Sequence, residues 1–167
     1  THAGMAAAYT AGASGLPFGL LRGYIDNGLN AVNPDIRRVR CPYTDEELAT
    51  VPAINPDVSI IHAQQADRQG NVLLRGIVGA QKEAAMAGRT LIVTVEDVVD
   101  RLDAHMNSIV LPSFVVSAVA HAPRGAYPSY AQGYYPRDND FYKAWDPIGK
   151  SRERFADWME RHVMQAA

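Results

Sequence analysis

The run His62-Ala63-Gln64-Gln65-Ala66-Asp67-Arg68-Gln69-Gly70-Asn71-Val72 gathers an imidazole, four carboxamides, a carboxylate and a guanidinium within eleven residues. Groups of this kind donate to a carbonyl, accept from a ligand amide, or fix a loop that does both. Asp67 with Gly70-Asn71 is also a turn signal: glycine and asparagine tolerate positive φ, and the aspartate accepts hydrogen bonds from its own loop. Such a turn can be only a turn, or it can aim loop amides and the Asn71 side chain at a ligand. Asp67, Gly70 and Asn71 are the first candidates for ligand contact, with His62 and Gln64 as secondary ones. Tyr127 and Ser129, in the stretch Tyr127-Pro128-Ser129-Tyr130-Ala131-Gln132-Gly133-Tyr134-Tyr135, join them, because tyrosines offer an apolar body and a polar tip. That stretch serves a pocket or a subunit interface equally well.

The remaining reactive groups fit simpler roles. Glu96, Asp97 and Asp100 follow an apolar run, and their placement matches the first turn of a helix, where carboxylates are favoured. His62 and His121 lie near predicted strand ends, and His162 falls on an apolar helical face. No histidine pair has metal-site spacing, so no metal is expected. Gly-x-Ser-x-Gly, Gly-x-Gly-x-x-Gly and Walker patterns are absent, which leaves hydrolase-elbow, dinucleotide and ATP chemistry unsupported. No catalytic residue is assigned.

Position follows from periodicity. Val58 to Ala63, Thr90 to Val95 and Val115 to Ala120 read as strands, the second apolar enough to be covered on both faces. Ile77 to Gly88 reads as a helix between the first two, giving a right-handed parallel βαβ unit. The His62 to Val72 segment then lies at a strand exit, where open α/β sheets bind ligands. Residues 2–13 read as a helix ended by Gly15-Leu16-Pro17. Residues 19–40 read as irregular, Val39 to Pro42 as a short edge strand, and Thr44 to Leu48 as one helical turn. Val95 is expected to lead into a short helix. Phe141 to Trp145 reads as a helical turn. Ser151 to Met164 reads as a helix whose apolar face holds Phe155, Trp158, Met159, His162 and Val163.

The 167 residues suffice for a single domain with a real core, taken as residues 1–167. A net charge of -2 gives no general attraction to nucleic acid or an anionic membrane. No apolar run reaches the roughly 20 residues that a spanning helix needs. Cys41 is the one cysteine, which suits a cytoplasmic location.

With these residues laid out, the chain resembles the A (α) subunits of class I, glutaconate-type CoA-transferases. The likeness is carried by Ala11-Gly12-Ala13-Ser14-Gly15-Leu16-Pro17-Phe18, Val51-Pro52-Ala53, Pro56-Asp57-Val58, the His62 to Val72 run, Val93-Thr94-Val95-Glu96-Asp97, Ala122-Pro123-Arg124-Gly125-Ala126-Tyr127-Pro128-Ser129, and the stretch Tyr134 to Trp158. The resemblance implies an α/β fold with an open, mainly parallel sheet, flanking helices and a homologous B subunit in a hetero-oligomer. It implies coenzyme A as substrate with no permanently bound cofactor. Family members move coenzyme A between carboxylic acids through a glutamate that forms a mixed anhydride and then an enzyme thioester. In glutaconate-type enzymes that glutamate belongs to the B subunit, and its Ser-Glu-Asn-Gly motif is absent here. Activity is therefore not expected of this chain alone. The family's A subunits begin with a strand and a Gly-Gly-Phe-like loop, and no such segment precedes Thr1, so the chain is expected to be the C-terminal portion of a subunit lacking its N-terminal strands. Two other readings stay open: a ring-opening CoA-thioester hydrolase subunit of steroid catabolism with the same fold, and a non-catalytic assembly fragment.

Overall fold

The computed structural model describes residues 1–25 and 27–165, which fall into two compact units, Thr1–Pro123 and a second from Arg124 onward. The first unit opens with α1 (His2–Ala13), capped by the Thr1 hydroxyl, which accepts the Gly4 N–H at 3.3 Å. A side-chain oxygen at this position satisfies one of the N–H groups that the helix leaves free. The helix ends in a Schellman motif. Gly15 takes φ 68°, its N–H reaches the Gly12 carbonyl, and the Leu16 N–H reaches the Ala11 carbonyl at 2.8 Å.

Residues 19–40, expected to be irregular, contain β1 (Phe18–Leu21), α2 (Leu29–Val32) and β2 (Arg37–Arg40). The expected helical turn at Thr44 to Leu48 is instead a tight connection into β3 (Glu47–Pro52). Asp45 sits there at φ 61°, and the Cys41 N–H bonds the Glu46 carbonyl. These strands form an antiparallel sheet in the order β1-β3-β2, so the predicted edge strand is real. Breaker residues hid the elements, because strands this short gain their stability from cross-strand partners rather than from local propensity. Ala8, Tyr24, Ile36, Ala49 and Val51 form the small core beneath α1.

A second sheet carries the candidate site. It comprises β4 (Val58–Asp67), β5 (Val72–Leu74), β6 (Thr90–Val99), β7 (Ile109–Leu111) and β8 (Ala118–His121), in the order β7-β5-β4-β6-β8. β4, β6 and β8 run parallel, whereas β5 and β7 pair antiparallel. The α/β class is as expected, but the sheet is mixed rather than mainly parallel. The extra strands, β5 and β7, are three-residue pieces that look like turn flanks in sequence. The helix between β4 and β6, α3 (Gln81–Ala87), is shorter than expected and packs its small Ala85 on the sheet. Ser59 Oγ donates to the Ala84 carbonyl at 2.6 Å, fixing α3 to β4. Ile61, Ala63, Leu91, Val93 and Val95 are buried on that face. Each of the larger side chains contributes about 2 kcal/mol of transfer free energy.

The expected helix after Val95 does not form. β6 continues to Val99 because β4 continues beside it, with Gln65 opposite Asp97 and Asp67 opposite Val99. A backbone with a ladder partner on offer satisfies its N–H and C=O groups there. In place of the third predicted strand's start is a 3-10 turn, Ser113–Val115, before β8.

The second unit is a tyrosine-rich turn region followed by α4 (Asn139–Gly149) and α5 (Arg152–Met159), the latter prolonged by a π-helical turn over Glu160–Met164. α4 is longer than the single turn expected. Asp138 caps it, accepting the Phe141 N–H at 2.8 Å. Phe141 stacks on Trp145, and Trp145 meets Trp158 edge to face with ring centroids 4.7 Å apart, an arrangement that the ring quadrupoles favour. His162, expected on the apolar face, is exposed, stacks on Trp158 and donates from Nδ1 to the Trp158 carbonyl.

Candidate functional site

Because β4 runs on to Asp67, Gln64 is a strand residue as His62 is. Side chains alternate across a strand, and His62 lies opposite Thr94 on β6, with Glu96 two residues further along that strand. His62 Nε2 lies 2.7 Å from Glu96 Oε1, and His62 Nδ1 lies 2.9 Å from Thr94 Oγ1. The Thr94 hydroxyl donates to the Ile61 carbonyl. Both ring nitrogens of His62 thus lie within hydrogen-bond reach of β6 side chains. The Glu96 side chain is only 3% exposed and that of His62 15%. From β8, His121 Nε2 donates to the Glu96 carbonyl at 3.0 Å. Glu96 was expected in the first turn of a helix, and its parity with His62 across two parallel strands was the signal that would have placed it here.

Gln64 is buried and pairs through its amide with the backbone of Arg75. Its Oε1 accepts the Arg75 N–H at 2.8 Å, and its Nε2 donates to the Arg75 carbonyl. The side chain thereby extends the β4–β5 ladder past Leu74. The Arg75 guanidinium bonds Asp103 through Nη2, both at its carboxylate and at its carbonyl, while Nε is buried without a hydrogen-bond partner. Beyond the strand ends, exposed Arg68 and Asp100 pair at 2.6 Å, joining the turn to the segment after β6.

Asp67, Gly70 and Asn71 close the β4–β5 hairpin. Asp67 Oδ1 accepts the N–H groups of Gln69 and Asn71, and Oδ2 accepts from Asn71 Nδ2 at 2.8 Å. Asn71 Oδ1 accepts the Ser113 N–H at 2.9 Å, tying the hairpin to the 3-10 turn. Gly70 sits at φ 87°, a conformation that side chains with a Cβ rarely adopt. These three residues therefore shape a turn at the carboxyl ends of β4 and β6. Burial pushes the Asp67 carboxyl up, but the Asn71 amide and the N–H groups of Asn71, Gln69 and Gly70 outweigh it and hold the group below its usual range. Hydrogen bonds to the charged form favour it in this way.

A group depressed in the folded state stabilises above its unfolded pKa and loses that contribution as pH falls through the folded one. Asp67→Ala is expected to cost about 2 kcal/mol at pH 7 by freeing these donors. The gap to the parent should close as pH drops below about 4. Urea unfolding at pH 7 and pH 3 checks this; a gap that stays constant with pH would remove the carboxylate from the account.

Tyr127 and Ser129 lie in the second unit. The Tyr127 hydroxyl donates to Asp138 Oδ2 at 2.9 Å, which raises its pKa. Arg124 lies over the Tyr127 ring with the guanidinium carbon 4.9 Å from the centroid, a cation–π contact. The Ser129 N–H closes a turn onto the Ala126 carbonyl. No cluster of metal-ligating side chains is present among the described residues, and no helix among them is long and apolar enough to cross a membrane.

Residues 2–122 match the family model described as coenzyme A transferase. The chain is 58% identical over 163 residues to the A subunit of 3-oxoadipate CoA-transferase from Pseudomonas knackmussii, covering 98% of this chain and 58% of that protein. Its fold superposes on the crystal structure of glutaconate coenzyme A-transferase from Acidaminococcus fermentans with a TM-score of 0.83 at 30% identity, covering 96% of this chain and 56% of that one. A variant of the decarboxylase AibA/AibB matches with a TM-score of 0.78 at 30% identity, covering 96% of this chain and 59% of that one. The chain thus spans little more than half the length of these relatives.

Proposed function

The chain belongs to the coenzyme A transferase family as an A-subunit member, and on that premise we propose that it serves an enzyme moving coenzyme A between an acyl-CoA and a carboxylic acid. The observation that carries this reading is the 58% identity to the A subunit of a 3-oxoadipate CoA-transferase across 98% of the chain. A homologous B subunit supplies the glutamate nucleophile, so the active unit is a hetero-oligomer and this chain alone is inactive. Coenzyme A is a substrate, with no permanently bound cofactor. The same reading sets the protein in the cytoplasm, where its one thiol, Cys41, stays reduced.

In this reading the chain builds a wall of a shared active site. Asp67, Gly70 and Asn71 fix the turn facing the substrate, and His62 and Gln64 hold the strand that presents it. Tyr127 and Ser129, in the second unit, are that unit's own candidates for substrate contact. The acyl group is a dicarboxylic one, by analogy with the 3-oxoadipate relative, and the analogy is one of family rather than of site geometry. Because misplacing a positioning group by about 1 Å costs about a hundredfold in rate, Asn71→Ala is expected to lower coenzyme A exchange by roughly that factor. The assay combines the A chain with its B subunit, an acyl-CoA and a free dicarboxylic acid, and follows exchange. If Asn71→Ala and Asp67→Ala leave both exchange and assembly unchanged, these residues have no part in the site. Turnover without any acceptor acid would assign the chain to hydrolysis instead.

A further inference from the structure

In the smaller sheet, β1-β3-β2, Ala49 and Val51 of β3 join the core beneath α1. Alternation turns Thr50 to the other side. The register sets Thr50 between Leu20 and Arg37, with Phe18 opposite Pro52 in a neighbouring row. Pro17, Phe18, Val39 and Pro52 there line a cavity of about 460 Å³, a size within the roughly 300–1,000 Å³ of small-molecule sites. Thr50 also lines it, and its hydroxyl donates to the Arg37 carbonyl at 3.3 Å, fixing the backbone that carries the arginine. The arginines around this cavity are mostly spoken for. Arg38 bonds Glu47 at 2.6 Å and the Ile25 carbonyl, Arg40 bonds Asp45 at 2.9 Å, and Arg22 bonds Glu46 at 2.8 Å. Arg37 and Asp35 differ. Both are exposed and both line the cavity, yet among the described residues neither side chain has a hydrogen-bond or ion-pair partner, and they do not pair with each other.

A free cation and a free anion two residues apart suit a ligand that carries the complementary pair on one carbon. A carboxylate meets the guanidinium fork in bidentate geometry, and an ammonium meets a carboxylate as a point charge. The remaining lining is hydrocarbon with one aromatic ring, which suits an apolar body. We propose that this cavity binds a free apolar α-amino acid, its carboxylate on Arg37, its ammonium on Asp35 and its side chain against Phe18, Val39 and Pro52. The ligand is a zwitterion, so it neutralises both groups and brings no net charge. Phosphates and dicarboxylates would bring a further negative charge toward Asp35, and like charges placed together oppose binding. Either exposed charge alone contributes little in water. Affinity therefore depends on engaging both while the apolar side chain leaves water. The proposal rests on the cavity and its charges and not on the reaction assigned above.

Isothermal titration of the chain with L-phenylalanine tests this. The expected result is one site per chain with a Kd of about 1 mM or tighter. 3-Phenylpropionate, which lacks the ammonium, and 2-phenylethylamine, which lacks the carboxylate, should each bind about tenfold more weakly. Arg37→Ala should weaken L-phenylalanine about tenfold and leave 2-phenylethylamine unchanged. Asp35→Asn should weaken L-phenylalanine and leave 3-phenylpropionate unchanged. Arg40→Ala removes an arginine already held by Asp45 and should change nothing. All three substitutions fall at exposed positions, so circular dichroism and thermal melts should match the parent. An absence of saturable binding at millimolar L-phenylalanine overturns the proposal. So does L-phenylalanine binding that Arg37→Ala leaves unmoved, or 3-phenylpropionate binding as tight as that of L-phenylalanine. None of these readouts needs coenzyme A exchange or a B subunit, so failure here leaves the reaction untouched, and failure of exchange leaves this site untouched.

Discussion

Replacing His62 with alanine is expected to lower the unfolding free energy by about 3 kcal/mol, because it takes the imidazole from beside a buried carboxylate. Glu96 is 3% exposed at its side chain and has His62 Nε2 at 2.7 Å. Without the imidazole, water reaches Glu96 poorly, and the side chain must either remain charged in a poor dielectric or take up a proton. Both routes are costly. The reverse change, Glu96→Leu, is milder, since His62 is more exposed and keeps its bond to Thr94. The double replacement of His62 and Glu96 by leucine should recover most of the loss, as buried ion pairs often trade evenly against packed hydrocarbon. Urea unfolding of the parent, both single variants and the double variant gives the coupling directly. Single variants that lose less than about 0.5 kcal/mol would show that the pair contributes nothing to the fold. Should the stable double variant assemble with its B subunit yet fail in exchange, the pair acts beyond stability.

A single methyl group at Gly12 is expected to be nearly as damaging. In the interior of a helix, glycine to alanine normally gains about 1 kcal/mol. Here the added Cβ would lie 2.1 Å from the Ile54 carbonyl oxygen and 3.0 Å from its carbon. That carbonyl cannot retreat easily: the Ile54 N–H is bonded to the Ala8 carbonyl, and the Ala53 N–H to the Pro17 carbonyl. The clash therefore drives α1 off the β1-β3-β2 sheet, and overpacking of this kind costs about 3 kcal/mol, which outweighs the propensity gain. Gly23→Ala is the control, since its Cβ would meet no heavy atom within 4 Å. Thermal melts should show Gly12→Ala well below the parent and Gly23→Ala close to it. A Gly12→Ala protein as stable as the parent would mean that α1 shifts without cost.

The legible parts of the chain were those where a local pattern is its own cause. The alanine-rich α1 and its Gly15 stop, the apolar run of β6 and the βαβ unit around α3 all follow from periodicity and turn chemistry. The Asp67 to Asn71 turn did too, down to the positive φ at Gly70. The reading failed where a partner decides the conformation. β5 and β7 are three residues each, and β1, β2 and β3 lie among glycines and prolines. Val95 to Val99 stayed a strand only because β4 lies alongside.

Residue types and spacing by themselves determined the α/β class, the turn and the family, because these rest on contacts within a few residues or on motif wording. The chemistry of the site was decided by tertiary structure. Residues 62 and 96 are thirty-four positions apart, and nothing local to either shows that they face each other. The parallel register of β4 and β6 brings them to 2.7 Å and buries the carboxylate. The same register sets Ile60, Ile92 and Ala118 side by side. Side-chain direction has a period of two along a strand, so which groups meet depends on how strands align, and that alignment is a property of the whole sheet.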